Sequence, residues 1–529
     1  VSVPWLKGLP TEMSERESEP GTPPVSSPTR PSKSESIRRT IVAGIGILSE
    51  SYDLFVINIV KNVLRTNYPS CFTTDVNERV TTAVLVGAIL GQLGFGIFAD
   101  YLGRRKGLIA TCVLLVIGAV LSCAAYAGDN IEALFWIMTI SRFVLGVGIG
   151  GEYPVAAAAA SESSEETNPA KRGRNVLLVF SMQGVGAILA DAVVLILLAI
   201  FGFATFQGPA VGDLNNTFAS NASYTYCNAS DGDPLVKANA EAVWRLAFGI
   251  GAIPPFVILF QRFRLKETAK FAKSGKRDRV KVRWGVFLKK YWVSLLGAGG
   301  GWLLWDIVFY GNSLFMSEIL ATLNIGDTDI FLNTVFSTCV ALVALPGYFL
   351  AAFTVDKIGR KKLQIIGFGV MTVLFLLVGI FFSFFSSQHI LFMVVYGLIY
   401  FFFQFGPNST TFLIPSEVFP TLVRARAHGL CAALGKVGAV IGSSTFAAMK
   451  GEGSEEHADI IFIVCGAVSF AGLLLTIFAV KDKTGESLDK EDEQFRIECT
   501  VQPSLTDNVT LVISDKDDVG SAERVQDDV

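Results

Sequence analysis

Charge is scarce in this 529-residue chain: Asp, Glu, Lys and Arg together make up 17% of it, too little to cover the surface of a soluble protein of this length. Histidine is nearly missing, with three residues, and the eight cysteines show no paired spacing of the kind a zinc or iron–sulfur site needs. No metal and no other cofactor is expected. A formal net charge of −3 supplies no basic footprint for nucleic acid. No nucleophile–base pair and no phosphate-cradling loop at a helix start is visible, so the chain does not read as an enzyme. Gly146, Gly148 and Gly151 have the spacing of a dinucleotide fingerprint, but they lie in an apolar run rather than a strand-to-helix turn and read as close helix packing.

What the chain has in excess is apolar sequence. Half of it is hydrophobic and it carries 41 Phe. Stretches of roughly 20 apolar residues, long enough to cross a bilayer, occur near residues 40–63, 80–99, 108–126, 132–159, 175–202 and 243–261, and again near 293–317, 330–353, 364–384, 389–414, 427–449 and 458–480. A short signature marks the two sets as copies. Gly91, Asp100, Gly103, Arg104, Arg105 and Lys106 recur as Gly347, Asp356, Gly359, Arg360, Lys361 and Lys362, each at the same offset of 256 residues. The expected fold is an all-α membrane protein of twelve transmembrane helices in two pseudo-symmetric six-helix halves, and duplicated membrane domains point to transport.

The loops alternate in charge. Arg104 to Lys106, Lys171 to Arg174, the basic stretch from Arg262 to Lys290, Arg360 to Lys362 and Arg424 to Arg426 fall on one side, which the loop-charge rule assigns to the cytoplasm together with both termini. The basic stretch reads as topology and linker, with lipid headgroups as a second use. On the other side, residues 203–242 hold sequons at Asn215, Asn221 and Asn228, expected to be glycosylated. Sequon matches at Asn408 and Asn508 fall in a membrane segment and in the cytoplasmic tail. Cys71 and Cys227 are the cysteines of the external loops, and the sequence leaves open whether they bridge. The expected organisation is a disordered tail over 1–37, a six-helix bundle over 38–261, a basic linker over 262–291, a second bundle over 292–480 and an acidic disordered tail over 481–529.

Ionisable side chains inside apolar segments are functional candidates, because lipid penalises them. Segment 1 carries Glu50 and Asp53 on one helical face, segment 4 carries Arg142 and Glu152, segment 7 carries Asp306 and segment 11 carries Lys436. Trp302, Asp306 and Tyr310 follow at i, i+4 spacing, a stripe of indole, carboxylate and phenol. Gln183 is a buried amide in need of partners. Such a set suits a small polar anion that also donates hydrogen bonds, with Lys436 offsetting its charge and protonation of the acids removing repulsion; monobasic phosphate has that chemistry. The structural alternatives are an Arg142 pairing with Glu50 or Asp53, and Lys436 as a static counter-charge.

These residues also carry a resemblance. The paired Asp-x-x-Gly-Arg-Arg/Lys loops (Asp100, Gly103, Arg104, Arg105; Asp356, Gly359, Arg360) resemble the signature of the major facilitator superfamily along residues 38–480. The stretches Glu50-Ser-Tyr-Asp53, Gly150-Gly-Glu152-Tyr153-Pro154, Trp302-Leu-Leu-Trp-Asp306 through Tyr310, Phe405-Gly-Pro-Asn408 and Gly435-Lys436 are similar to the phosphate:proton symporter family of fungi and plants. The resemblance implies that Tyr153, Gln183, Trp302, Asp306, Tyr310 and Asn408 surround inorganic phosphate with Lys436 close by. It further implies that Asp53, Glu152 and Glu50 form the proton path, with Arg142 as an ion-pair partner, in a plasma-membrane importer. Glu50 and Glu152 depart from the Asp that the phosphate members usually show, and a related glycerophosphodiester branch tolerates Glu in segment 4. That branch, and a phosphate sensor with little flux, are the alternatives; the oligomeric state is left open.

Overall fold

The computed structural model describes residues 33–203, 234–268, 282–314, 316, 319, 330–451 and 458–500. Asn215, Asn221, Asn228 and Cys227 lie outside the described residues. Twelve helices are long and apolar enough to cross a bilayer. They are span 1 (Ile37–Asn67), span 2 (Thr74–Leu102), span 3 (Arg104–Cys123), span 4 (Ile131–Thr167), span 5 (Pro169–Ile200) and span 6 (Lys237–Phe263), then span 7 (Trp284–Leu314), span 8 (Ile330–Ile358), span 9 (Arg360–Ile380), span 10 (His389–Val418), span 11 (Arg424–Phe446) and span 12 (Asp459–Ala479). Each overlaps one expected segment. Helices are the form such sequence must take, because every backbone polar group has to be satisfied without water.

The surface is inverted relative to a soluble protein. Large apolar side chains face outward along the spans, with Phe478 at 81% and Ile140 at 60% exposed, while Asp306 is at 1%. That distribution fits a lipid surround and a polar interior.

The repeated signature has a physical reason in each half. Gly103 (φ 103°) and Gly359 (φ 94°) turn the chain between spans 2 and 3 and between spans 8 and 9 in a conformation that disfavours any side chain. Gly91 packs against span 4, where a Cβ would stand 2.2 Å from Val147 O, and Gly347 packs against span 10, where it would stand 2.5 Å from Phe401 O. Equivalent helices in the two halves thus touch at equivalent glycines. The fingerprint-like glycines serve the same end, since a Cβ on Gly146 would meet Val84 O of span 2 at 2.2 Å.

Two expected boundaries are corrected. Residues 481–500 are not a disordered tail: Leu488–Cys499 form a further helix. Its Leu488, Phe495 and Cys499 are buried, and Phe495 meets Phe287 and Tyr291 of span 7 at 6.2 and 6.4 Å between ring centroids. The expectation failed because charge dominates this stretch, yet three apolar residues at 488, 495 and 499 make one stripe. The linker range 262–291 is likewise too wide, because Phe263 ends span 6 and Trp284 begins span 7.

Candidate functional site

Local irregularities open the spans where the polar residues sit. Span 1 is interrupted at Val56, one turn beyond Asp53. Spans 7 and 10 each contain a π-helical turn, Leu296–Gly300 and Gln404–Asn408. The widened turn in span 10 delivers Asn408 itself, as such bulges do at functional sites.

A closed polar cluster forms between the halves. Lys436 Nζ of span 11 donates to Asp306 Oδ2 at 3.0 Å and to Tyr310 Oη at 2.8 Å, both on span 7. Gln183 of span 5 donates to Tyr153 Oη of span 4 at 2.7 Å and accepts from Tyr348 of span 8 and Asn408 of span 10, each at 2.9 Å. Tyr153 joins the two groups: its ring lies 6.2 Å from that of Trp302 and 5.4 Å from Lys436 Nζ. All seven residues expected around the solute therefore meet in one place. Tyr348 and Gln404 belong there too, Gln404 accepting from Asn408. Their sequence signal was weak, a phenol and an amide inside apolar runs.

The acids divide into three environments. Glu152 accepts two hydrogen bonds from Arg262 at the end of span 6, one of them 2.8 Å long from Nη1, and a third from Thr111 at 2.7 Å. Arg142, expected as an ion-pair partner in the proton path, lies beside Asp53 rather than Glu152: its charge faces the Asp53 carboxylate and its Nη2 reaches the Asp53 backbone carbonyl at 3.4 Å, while Nε and Nη1 are buried without a hydrogen-bond partner among the described residues. The expectation missed Arg262 because its place at a helix end, inside a basic stretch, read as topology. Glu50 forms the third case. It is 1% exposed, its neighbours include Glu152, Lys436 and Arg262, and its carboxylate, set beside the Tyr153 hydroxyl, closes no ion pair among the described residues.

Both faces of the cluster are shut. On the face with the basic loops, the two signatures lock the halves together crosswise. Asp100 of span 2 pairs with Arg426 of span 11 at 3.1 Å and caps its first turn through Ala425 N and Arg426 N. Arg104 and Arg424 share Glu162 at 2.8 and 3.3 Å. The counterpart repeats the plan: Arg172 and Arg360 share Glu417, each at 2.8 Å, and Asp356 accepts from Arg174 N at 2.9 Å. Gly103, Gly359 and Arg105 complete the turns, Arg105 donating to Phe263 O at 2.6 Å. The C-terminal helix adds to this seal, Asp492 accepting from Thr421 N and Oγ1 at 2.6 Å each. On the opposite face Lys61 donates to Leu314 O, Ser444 donates to Glu78 at 2.8 Å, and Phe55 stacks on Tyr310 at 6.4 Å.

Three further polar residues inside the spans escaped the sequence reading: Lys61, Asp191 and His428. Each was visible as an ionisable residue in an apolar window. His428 is fully buried, its Nε2 lies 3.1 Å from Phe412 O and its ring abuts Trp302 edge-on at 5.5 Å.

A closed polar cluster with one cation, set between duplicated halves and sealed by matched gates, is the anatomy of a carrier. The sequence matches the model of the family described as "Sugar (and other) transporter" over residues 39–283 and 307–495. The chain belongs to that family. A low affinity inorganic phosphate transporter 4 from Lotus japonicus is 31% identical over 88% of this chain and 93% of its own length. A probable inorganic phosphate transporter 1-6 from Arabidopsis thaliana is 31% identical over 86% and 93%. A glycerophosphoinositol permease 1 from Candida albicans is 30% identical over 86% of this chain and 80% of its own length. Among solved structures, the proton:xylose symporter XylE bound to 6-bromo-6-deoxy-D-glucose superposes with a TM-score of 0.66 at 19% identity, covering 87% of this chain and 99% of that one. The fold is that of the major facilitator superfamily, and the protein is a multi-pass membrane transporter rather than an enzyme.

Proposed function

We propose that this transporter imports inorganic phosphate together with protons across the plasma membrane. The observation that carries the reading is the arrangement of Lys436 against Asp306 and Tyr310, faced by Tyr153, Gln183, Asn408 and Trp302. It offers one fixed positive charge, several neutral donors and a carboxylate, the complement of a monovalent anion that both accepts and donates hydrogen bonds. Monobasic phosphate would bind near the midplane and share Lys436 with Asp306. The relatives named as phosphate transporters support this solute.

Glu50 is the proton carrier in this reading, because it lies buried between two satisfied ion pairs and has no counter-charge of its own. Asp53, whose Oδ2 is also unpartnered, is the second. Glu152 is engaged by Arg262 in the closed state and is released only if span 6 shifts. The basic face is cytoplasmic by the loop-charge rule, so the termini lie inside and the sequon loop outside. The halves rock about the cluster, breaking the crosswise ion pairs on one face and the Lys61, Ser444 and Phe55 contacts on the other. Uptake of labelled phosphate into vesicles at two external pH values tests solute and proton coupling together.

A second reading keeps the mechanism and changes the solute to a glycerophosphodiester. It is favoured by the Candida albicans permease, which is as similar to this chain as the phosphate transporters are. Direct uptake decides: accumulation of labelled glycerophosphoinositol with no accumulation of labelled phosphate establishes the second reading against the first.

A further inference from the structure

Asp191 sits in span 5, eight residues beyond Gln183, about 12 Å further along the helix toward the face opposite the basic loops. Helical spacing sets it about 20° around the axis from Gly184, the position at which span 5 touches span 8 of the other half. A Cβ there would stand 2.7 Å from the Tyr348 ring and 2.9 Å from Leu345. The side of span 5 turned to lipid is elsewhere, marked by Leu189, Ile196 and Ile200, all exposed. Asp191 is half-buried and forms no hydrogen bond or ion pair among the described residues.

Its depth follows from the neighbouring helix. Gly186 packs on Leu48 and Ser51 of span 1, and spans 1 and 5 run in the same direction. Five residues on, Asp191 is level with Phe55 and Val56, where Phe55 stacks on Tyr310 and closes the cluster. The carboxylate therefore stands just outside the closed site, in the seam between the halves.

Charged and titratable groups on the adjoining spans are engaged elsewhere. Tyr52 donates to Ala247 O at 2.7 Å, Arg142 lies beside Asp53, Glu50 is among Tyr153, Glu152 and Lys436, and Tyr348 bonds Gln183. Lys61 donates to Leu314 O, and Arg245 pairs with Glu241 at 2.7 Å. Arg65, Lys237 and Cys339 make no bond to Asp191.

We propose that Asp191 is a charge filter on the outer access path, ahead of the binding cluster: ionised it turns an anion back, and protonated it lets a monovalent anion through. The proposal rests on the phosphate-import reading above. An uncompensated carboxylate is costly in such a wall and is retained where ions pass; a like charge at close range shifts local anion concentration by roughly fivefold even with substantial screening.

The test uses the full chain reconstituted in vesicles. The KM for the monobasic phosphate ion is measured between about pH 4.5 and about pH 7.5 outside, with the monobasic concentration held equal at each pH so that phosphate's own ionisation does not enter. The wild type is expected to show KM rising roughly fivefold with pH at little change in kcat. Asp191→Asn should lose most of that rise, and Asp191→Glu should retain it. An equal rise in Asp191→Asn overturns the proposal. A second arm does not depend on the solute: Asp191→Cys should be labelled from outside by a membrane-impermeant thiol reagent above the parent chain, and absence of labelling overturns the proposal. A wild type that carries no phosphate removes the import reading alone, and the labelling then decides whether Asp191 lines the path.

Discussion

Glu152 and Arg262, on spans 4 and 6, form a two-pronged ion pair that is wholly buried. Gly46 of span 1 makes room for it, since a Cβ there would stand 2.1 Å from Arg262 Nη2 and 2.3 Å from Glu152 Oε1. Removing one partner of such a pair strands the other, at a cost of about 3–5 kcal/mol. Arg262→Met and Glu152→Gln should each lower the melting temperature of the purified protein by several degrees, and the double variant should recover most of the loss. Additive losses in the double variant would show that the two residues do not act as a pair.

The cluster itself predicts a split between charge and binding. Asp306→Asn should abolish phosphate accumulation while leaving the protein in the membrane, and Lys436→Ala should weaken phosphate binding at least tenfold, about 1.4 kcal/mol. Wild-type uptake by Asp306→Asn would remove that carboxylate from the mechanism.

Glu50→Gln separates solute movement from proton coupling. Exchange of labelled for unlabelled phosphate across the vesicle should persist, because Lys436 and its donors are intact, whereas accumulation driven by a pH gradient should be lost. Accumulation with the wild-type pH profile would assign the proton to another acid.

Glu417 holds Arg172 of the first half and Arg360 of the second. Glu417→Ala leaves Arg172 with Glu165 and Arg360 with Asp356 but removes the bond that joins Arg172 to the second half, so the basic face should open more often. Ser161, which donates to Ser416 O across the seam at 3.1 Å, provides the reporter: labelling of Ser161→Cys by a thiol reagent from that face should rise roughly tenfold in the Glu417→Ala background, equivalent to about 1.4 kcal/mol of population shift. An unchanged rate would mean that the pairs at Glu417 do not hold the gate.

Span positions were legible because lipid imposes a simple rule of length and apolarity. The signature around Asp100 and Asp356 was legible because duplication printed it twice. The stripe Trp302, Asp306, Tyr310 could be read from helical spacing alone, and Lys436 from its charge. The partner of Glu152 could not, since nothing local in the sequence separates a buried Arg262 from the basic residues that follow it. The C-terminal helix was hidden for a related reason: three apolar residues suffice once Tyr291 and Phe287 supply the other side of the contact. Gln183 needed partners, but that they are Tyr153, Tyr348 and Asn408 is a fact of three-dimensional packing across two halves.

Accumulation of labelled phosphate in vesicles containing the purified chain tests the central claim most directly. With the compartment outside the cytoplasmic face made acidic by about two pH units, the account predicts concentrative uptake that collapses when a protonophore removes the gradient. Equal, non-concentrative phosphate levels with and without the gradient would contradict it.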